Sequence, residues 1–150
     1  MRATHAHFNI ATHPELRQRG ASRQSEVVSA ERLVWSGEAT LVRARTTEGD
    51  LGILPNHAPL LSLLVQGVVD IRSVDDESWV VAVDAGFVSV AANRVSILAG
   101  RALPSHEIEL EQSRQELERR QAAGEDTDDA EEAAERAWLE AQVRAVEHTS

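Results

Sequence analysis

The chain has 150 residues, 25 acids against 15 basic side chains, no cysteine and a formal net charge of -10. That size holds one ordinary domain, or a small domain with an appendage. Missing cysteine excludes disulfides and thiol chemistry, and the negative charge argues against a nucleic-acid partner, which would need clustered Lys and Arg.

Residues 1–21 are polar, lack periodicity and read as a disordered extension, with no apolar core of a secretory signal. From residue 22 to 103, short runs rich in Val, Ile, Leu and Trp alternate with turn residues every eight to twelve positions, the spacing of an all-β sandwich or barrel. Strands are predicted at Glu26–Ser29, Arg32–Trp35, Ala39–Thr46, Leu51–Leu54, Leu60–Val65, Val68–Ser73, Ser78–Val83, Phe87–Ala91 and Arg94–Ala99. Turns are expected at Ser36–Gly37, Glu48–Asp50, Gln66–Gly67, Asp75–Glu77, Asp84–Gly86 and Ala92–Asn93. Within "LVRARTT", Val42 and Ala44 should face inward, with Leu41, Arg43 and Arg45 outward. The longest apolar run, Leu60–Val65, is broken by Ser62 and is far short of the roughly 20 residues that span a bilayer.

Pro104 closes the β zone, and residues 104–150 read as a helical hairpin. Ser105 is the expected N-cap, with Glu107 and Glu109 where the helix dipole favours negative charge. The first helix should end at Ala123 before Gly124. The second should run from Asp128 to Glu147, capped by Asp126 or Thr127. This tail holds 14 acids and 5 arginines, so nearly all the net charge lies in it. Arg136, Glu140 and Arg144 are spaced for i,i+4 pairs worth about 0.2 to 0.5 kcal/mol each.

Chemistry finds little support. The six histidines show no metal spacing such as H-E-x-x-H. His57 alone lies in the β zone, without a G-x-S-x-G nucleophile or a glycine-rich phosphate cradle. The expectation is no active site, no metal and no cofactor. The stretch "TEGDLGILPNHAPLL" instead reads as a stiff presenting loop. Glu48, Gly49 and Asp50 would turn the chain, Gly52 would permit close backbone approach, Asn56 would tolerate a left-handed conformation, and Pro55 and Pro59 would bar helix. His57 reads as a structural histidine bonded to backbone carbonyls.

"VVSAERLVWSGEATLVRARTTEGDLGILPNHAPLL", followed by "GVVDIRS", "AGFVSV", "NRVSILAGRA" and an acidic hairpin, resembles the epsilon subunit of the bacterial F-type ATP synthase. The likeness runs from Ser25 to the C-terminus. The resemblance implies two packed five-stranded sheets followed by an antiparallel helical hairpin, in a non-catalytic part of the central stalk. It further implies that the β domain grips the gamma subunit and rests on the c ring, at the cytoplasmic face of the cell membrane without inserting into it. Glu48, Gly49, Asp50, Leu51 and Gly52 would face the c ring, with His57 near the same junction.

The hairpin is similar to a regulatory element that packs against the β domain or extends into the catalytic alpha/beta hexamer and blocks hydrolysis. The stripe Ala130, Ala133, Ala134, Ala137, Trp138, Ala141 and Ala145 would dock weakly: Leu in place of Ala would contribute about 2.4 kcal/mol more per site. Nucleotide-sensing relatives carry I/L-D-x-x-R-A where this chain has "IELEQS". Ile108 and Glu109 keep part of the pattern, but Gln112 and Ser113 replace the arginine and alanine, so no nucleotide site is expected. Arg136 and Arg144 are the only basic residues the second helix offers for inhibition. Asp84 is an expected turn cap, and residues 1–21 exceed the usual start of the family. Two alternatives compete with this reading: a free-standing β-sandwich binding module, and a small hydrolase using His57 with Asp50 or Glu48.

Overall fold

The computed structural model describes residues 22–124 and 129–148. The extension expected over residues 1–21 and the expected caps Asp126 and Thr127 lie outside these residues. Nine strands are described: β1 (Arg23–Ser29), β2 (Leu33–Thr46), β3 (Gly49–Ile53), β4 (Leu60–Leu64), β5 (Gly67–Ser73), β6 (Ser78–Val83), β7 (Gly86–Ala91), β8 (Arg94–Ala99) and β9 (Ala102–Pro104). Two helices follow, α1 (Leu110–Gly124) and α2 (Ala130–His148).

The strands form one hydrogen-bonded path that folds into two layers because β2, 14 residues long, belongs to both. Its first half pairs with β1, which continues through β8 and β7 to β4. Its second half pairs with β3 on one side and β5 on the other, and β5 continues to β6 and β9. With β2 counted in each, both layers have five members, the expected sandwich of two five-stranded sheets. Alternate residues fill the space between them: Val27, Val42, Ala44, Ile53, Leu64, Val69, Ile71, Val81, Val83, Val88, Val90, Val95 and Ile97 form one core. The inward turn of Val42 and Ala44, with Arg43 and Arg45 outward, is as the alternation predicted.

Three local expectations are corrected. Ser36–Gly37 is no turn; both residues pair with β1, opposite Glu26 and Ser25. The glycine is there for packing: a Cβ at Gly37 would stand 3.1 Å from the Trp35 ring, which covers it. The short strand β9 was not anticipated, because a three-residue strand ending in proline carries almost no periodic signal. Ser105 caps no α-helix: Ser105–Glu107 forms a single 3-10 turn, and α1 begins five residues later, with the Glu109 carbonyl accepting from Ser113 N–H at 3.0 Å.

The second helix likewise starts later than expected. Asp129 is its cap, the side chain accepting from Glu131 N–H at 2.9 Å and the carbonyl from Ala133 N–H at 3.0 Å. Only the C-terminal part of the alanine stripe is buried. Trp138, Ala141 and Ala145 pack on Val80 and Ala82 of β6, with Val68, Leu103 and Ile108 at the margin, whereas Ala130 and Ala133 are exposed. Leu139 and Gln142, which the stripe omitted, are buried too. Strand β6 is therefore covered on both faces, which explains its unbroken apolar run "WVVAV".

Candidate functional site

The tip between β2 and β3 is a two-residue turn at Thr47–Glu48, one residue earlier than expected. Thr46 fixes it: its Oγ1 accepts from Glu48 N–H at 3.1 Å and donates to the Gly49 carbonyl at 2.9 Å. Gly49 has φ +119, a conformation only glycine adopts without strain. Asp50 accepts from Arg45 Nε across the strand pair at 3.0 Å. Glu48, Gly49, Asp50 and Gly52 are exposed, and Leu51 packs partly on the core. Gly52 serves no close approach, since an added Cβ would find nothing within 4 Å.

His57 does not join this tip. It follows the opposite end of β3, a strand about 15 Å long at the usual rise, in a turn closed by its N–H donating to the Leu54 carbonyl at 3.0 Å. Its Nδ1 lies 2.7 Å from the Ala58 carbonyl, and its own carbonyl accepts from Arg23 Nη2 at 2.7 Å. The histidine is thus held by backbone, as its sequence reading favoured. Pairing with Asp50 or Glu48 for hydrolysis is ruled out by their separation along β3. Asn56 is not left-handed; among the described non-glycine residues, only Asp76, Ala92 and Asn93 have positive φ. Arg23 is the unforeseen element here: a nearly buried guanidinium whose Nε has no partner, spent on bracing this loop.

A second surface escaped the sequence reading. On the outer face of the β4–β7–β8–β1 layer, Leu63 pairs with Phe87, Phe87 with Leu98, Leu98 with Val28, and Val28 with Leu33. These five apolar residues form a row across five strands, and nothing in the described chain covers it: Phe87 is 48% exposed, Leu63 50% and nearby Leu61 71%. Such a contiguous apolar surface marks an interaction site.

The hairpin lies on the other layer. Arg101, between β8 and β9, donates from Nε to Asp84 at 2.9 Å and from Nη1 to Glu135 of α2 at 3.1 Å, with its guanidinium 4.9 Å from the Trp138 ring centroid. Burial alone would lower the Arg101 pKa; its bonds to the two carboxylates outweigh that and raise it. Asp84 also accepts from Ala85 N–H at 2.9 Å, the turn-capping role expected of it. At the far end of α2, His148 Nε2 stands 2.8 Å from Asp70. Within the hairpin, Arg120 pairs with Glu132 at 2.8 Å and Arg114 with Glu147 at 2.6 Å.

The residues of the degenerate nucleotide motif are dispersed. Ile108 packs beneath α2, Glu109 and Gln112 are exposed, and Ser113 is buried, donating to Gln142 Oε1 at 3.0 Å between the helices. The serine that breaks the motif therefore joins α1 to α2. Arg136 is half-buried on α2, while exposed Arg144 shares a groove with Asp50, Leu51 and Gly52. Among the described residues, no group of three or more His, Asp or Glu is placed to hold a metal, and no helix is long and apolar enough to cross a membrane.

Residues 23–105 match the family described as ATP synthase, Delta/Epsilon chain, beta-sandwich domain. The chain is 52% identical to the ATP synthase epsilon chain of Streptomyces avermitilis over 102 residues, 68% of this chain and 82% of that relative. It is 45% identical to that of Corynebacterium aurimucosum over 94 residues, 62% of this chain and 77% of the relative. Among solved structures, a chain of the Euglena gracilis mitochondrial ATP synthase superposes with a TM-score of 0.67 at 21% identity, covering 86% of this chain and 81% of that one. A chain from the central stalk and c ring of the Tetrahymena thermophila mitochondrial ATP synthase gives 0.57 at 17%, covering 84% and 94%. These two likenesses bear on the fold alone. Since the family match spans the whole sandwich and the Streptomyces relative is half identical over most of its own length, the chain belongs to the epsilon-chain family of the ATP synthase.

Proposed function

We propose that this chain works as a non-catalytic coupling subunit of the central stalk of a proton-translocating F-type ATP synthase, peripheral to the cytoplasmic face of the cell membrane. Two surfaces divide the task. The apolar row Leu63, Phe87, Leu98, Val28 and Leu33 seats the gamma subunit, and the tip Glu48–Gly52 meets the polar loops of the c ring. The row is the observation that carries this reading, because an uncovered apolar band across five strands needs a protein partner. His57 takes no direct part at the tip; its loop, which joins β3 to β4 and is held by Arg23 of β1, is a brace between the two layers.

The test is co-purification of the assembled stalk. Phe87→Asp should lose the gamma subunit while the isolated chain keeps its fold. Retention of gamma by Phe87→Asp together with Leu63→Asp would reject the assignment of the row.

The hairpin restrains ATP hydrolysis when it leaves the sandwich and enters the alpha/beta hexamer, with Arg136 and Arg144 as its basic contacts. Its weak alanine seam supports this mobility: a balance of a few kcal/mol keeps a minor state populated at about 0.1 to 10%. Removing residues 105–150 should raise the ATPase rate of the assembled enzyme, and an unchanged rate would reject the restraint. Calorimetric titration of the isolated chain with ATP should give no micromolar binding, since Gln112 stands where a guanidinium is needed.

A further inference from the structure

One groove, which borders the tip at Asp50, Leu51 and Gly52 and lies apart from the apolar row, carries an uneven charge. It runs where the last turns of α2 overhang the outer faces of β2, β3 and β5, a cavity of about 750 Å3 lined by Arg43, Arg45, Asp50, Asp70, Arg144 and Glu147 among others. A neighbouring cavity of about 450 Å3 adds Arg72, and Arg43, Asp70 and His148 line both. Each acid on the wall is already engaged. Asp50 accepts from Arg45 at 3.0 Å, Asp70 faces His148 at 2.8 Å, and Glu147 accepts from Arg114 at 2.6 Å.

Arg43, Arg72 and Arg144, by contrast, have no ion-pair partner among the described residues. Arg43 lies opposite Asp70 on β5, and Arg72 is two positions further along that strand, which places the two arginines diagonally across the pair, about 7–8 Å apart. Arg144 comes from α2 on the other side of the same cavity. Nearly all of the net charge of -10 lies in the hairpin that forms one wall of this groove, and it repels small anions. Against that field, three guanidiniums stand without an ion pair along two adjoining cavities that share Arg43, with Arg144 lining the larger and Arg72 the smaller.

We propose that this groove binds a phosphate group, held between Arg43 and Arg72 on the sheet and Arg144 on the helix. Guanidinium forks match phosphate oxygens two at a time, and three forks from different directions suit a tetrahedral anion better than a planar carboxylate. The site shares no residue with the degenerate motif at Ile108, Glu109, Gln112 and Ser113, and it does not depend on the coupling role. Because its walls belong to two bodies, a bound anion favours the hairpin docked on the sheet.

The test is calorimetric titration of the full chain with pyrophosphate and with inorganic phosphate, ionic strength being matched with chloride. Pyrophosphate should bind saturably, with an affinity weaker than the micromolar range excluded for ATP, and raise Tm, and the Arg43→Gln/Arg144→Gln variant should bind at least tenfold more weakly. Arg94→Gln, on the opposite layer, should bind like the parent. If the double variant fails to fold by circular dichroism, Arg72→Gln alone serves the same comparison. Vesicles of phosphatidylglycerol against phosphatidylcholine distinguish the source: vesicle binding that the variant loses, without pyrophosphate binding, assigns the phosphate to a lipid headgroup. No saturable binding to either probe, or equal binding by parent and variant, overturns the site.

Discussion

The two outer faces of the sandwich are built alike and covered differently. On one layer, Val68, Val80, Ala82 and Leu103 lie beneath α2, which the chain supplies itself. On the other, Leu63, Phe87, Leu98, Val28 and Leu33 form a row that the described chain leaves bare. The buried centre of the covered face is sealed by the small side chains Ala82, Ala141 and Ala145, with Val80, around Trp138. The bare face presents large ones, and large apolar side chains anchor interfaces more strongly than methyl groups do. Side-chain size thus separates the face proposed to seat the gamma subunit from the face that α2 covers.

The sharpest way to break this contrast is Trp138→Ala. Removing a buried Trp costs about 3–5 kcal/mol in a packed core, more than an alanine seam can supply elsewhere. Amides of α2 should then lose protection in hydrogen exchange while those of β7 and β8 keep theirs. Equal loss in both regions would mean that the hairpin and sandwich fold as one unit.

On the bare face, Phe87→Asp should weaken gamma binding by about 2–3 kcal/mol, as for a central interface anchor, with little change in the Tm of the isolated chain. A drop in Tm as large as that of a core substitution would show that the row serves folding rather than docking. The Arg101→Gln variant should loosen the hairpin by about 1 kcal/mol, a figure kept low because the guanidinium is 43% exposed and screened by solvent. Increased protease cleavage in α2, with the sandwich intact, is the readout.

The smallest effect concerns pH. The hydrogen bond from Arg32 lowers the Glu107 pKa, and those from Arg119 and Arg120 lower that of Glu116. A depressed folded-state pKa means the pair stabilises above the unfolded pKa and is lost as pH falls through the folded one. Acid titration below about pH 4.3 should therefore weaken the anchor of the Ser105–Glu107 turn at Arg32 and the pairs within α1 slightly before the sandwich melts, read as faster amide exchange in α1. No such change above the melting pH would remove these pairs from the account.

Much of this fold was legible in the chain. Alternation in "LVRARTT" assigned the inward and outward sides of β2, and the acidic, periodic tail marked a hairpin. The failures have physical causes. Gly37 looked like a turn because a glycine inside a strand and one between strands carry the same local signal, and only the Trp35 ring settles it. The bare row was missed because outward Leu63 and inward Leu64 are the same residue type, so "LLSLL" does not declare which face is covered. Ser113 reads in the sequence only as a replacement for the family's alanine, and its partner Gln142 is 29 residues away. The groove was invisible for a similar reason: Arg43, Arg72 and Arg144 meet only through tertiary structure.

The 14 residues of β2 run from the row at Leu33 to the tip at Thr46, with register shifts opposite β1 and β5, and are laddered into both layers. A shear load applied at the tip enters a covalent beam about 45 Å long and spreads into two sets of hydrogen bonds acting side by side. The bulge at Thr40, where the register to β5 shifts, turns the strand from one layer to the other, and the ladders on either side carry the load past the bend.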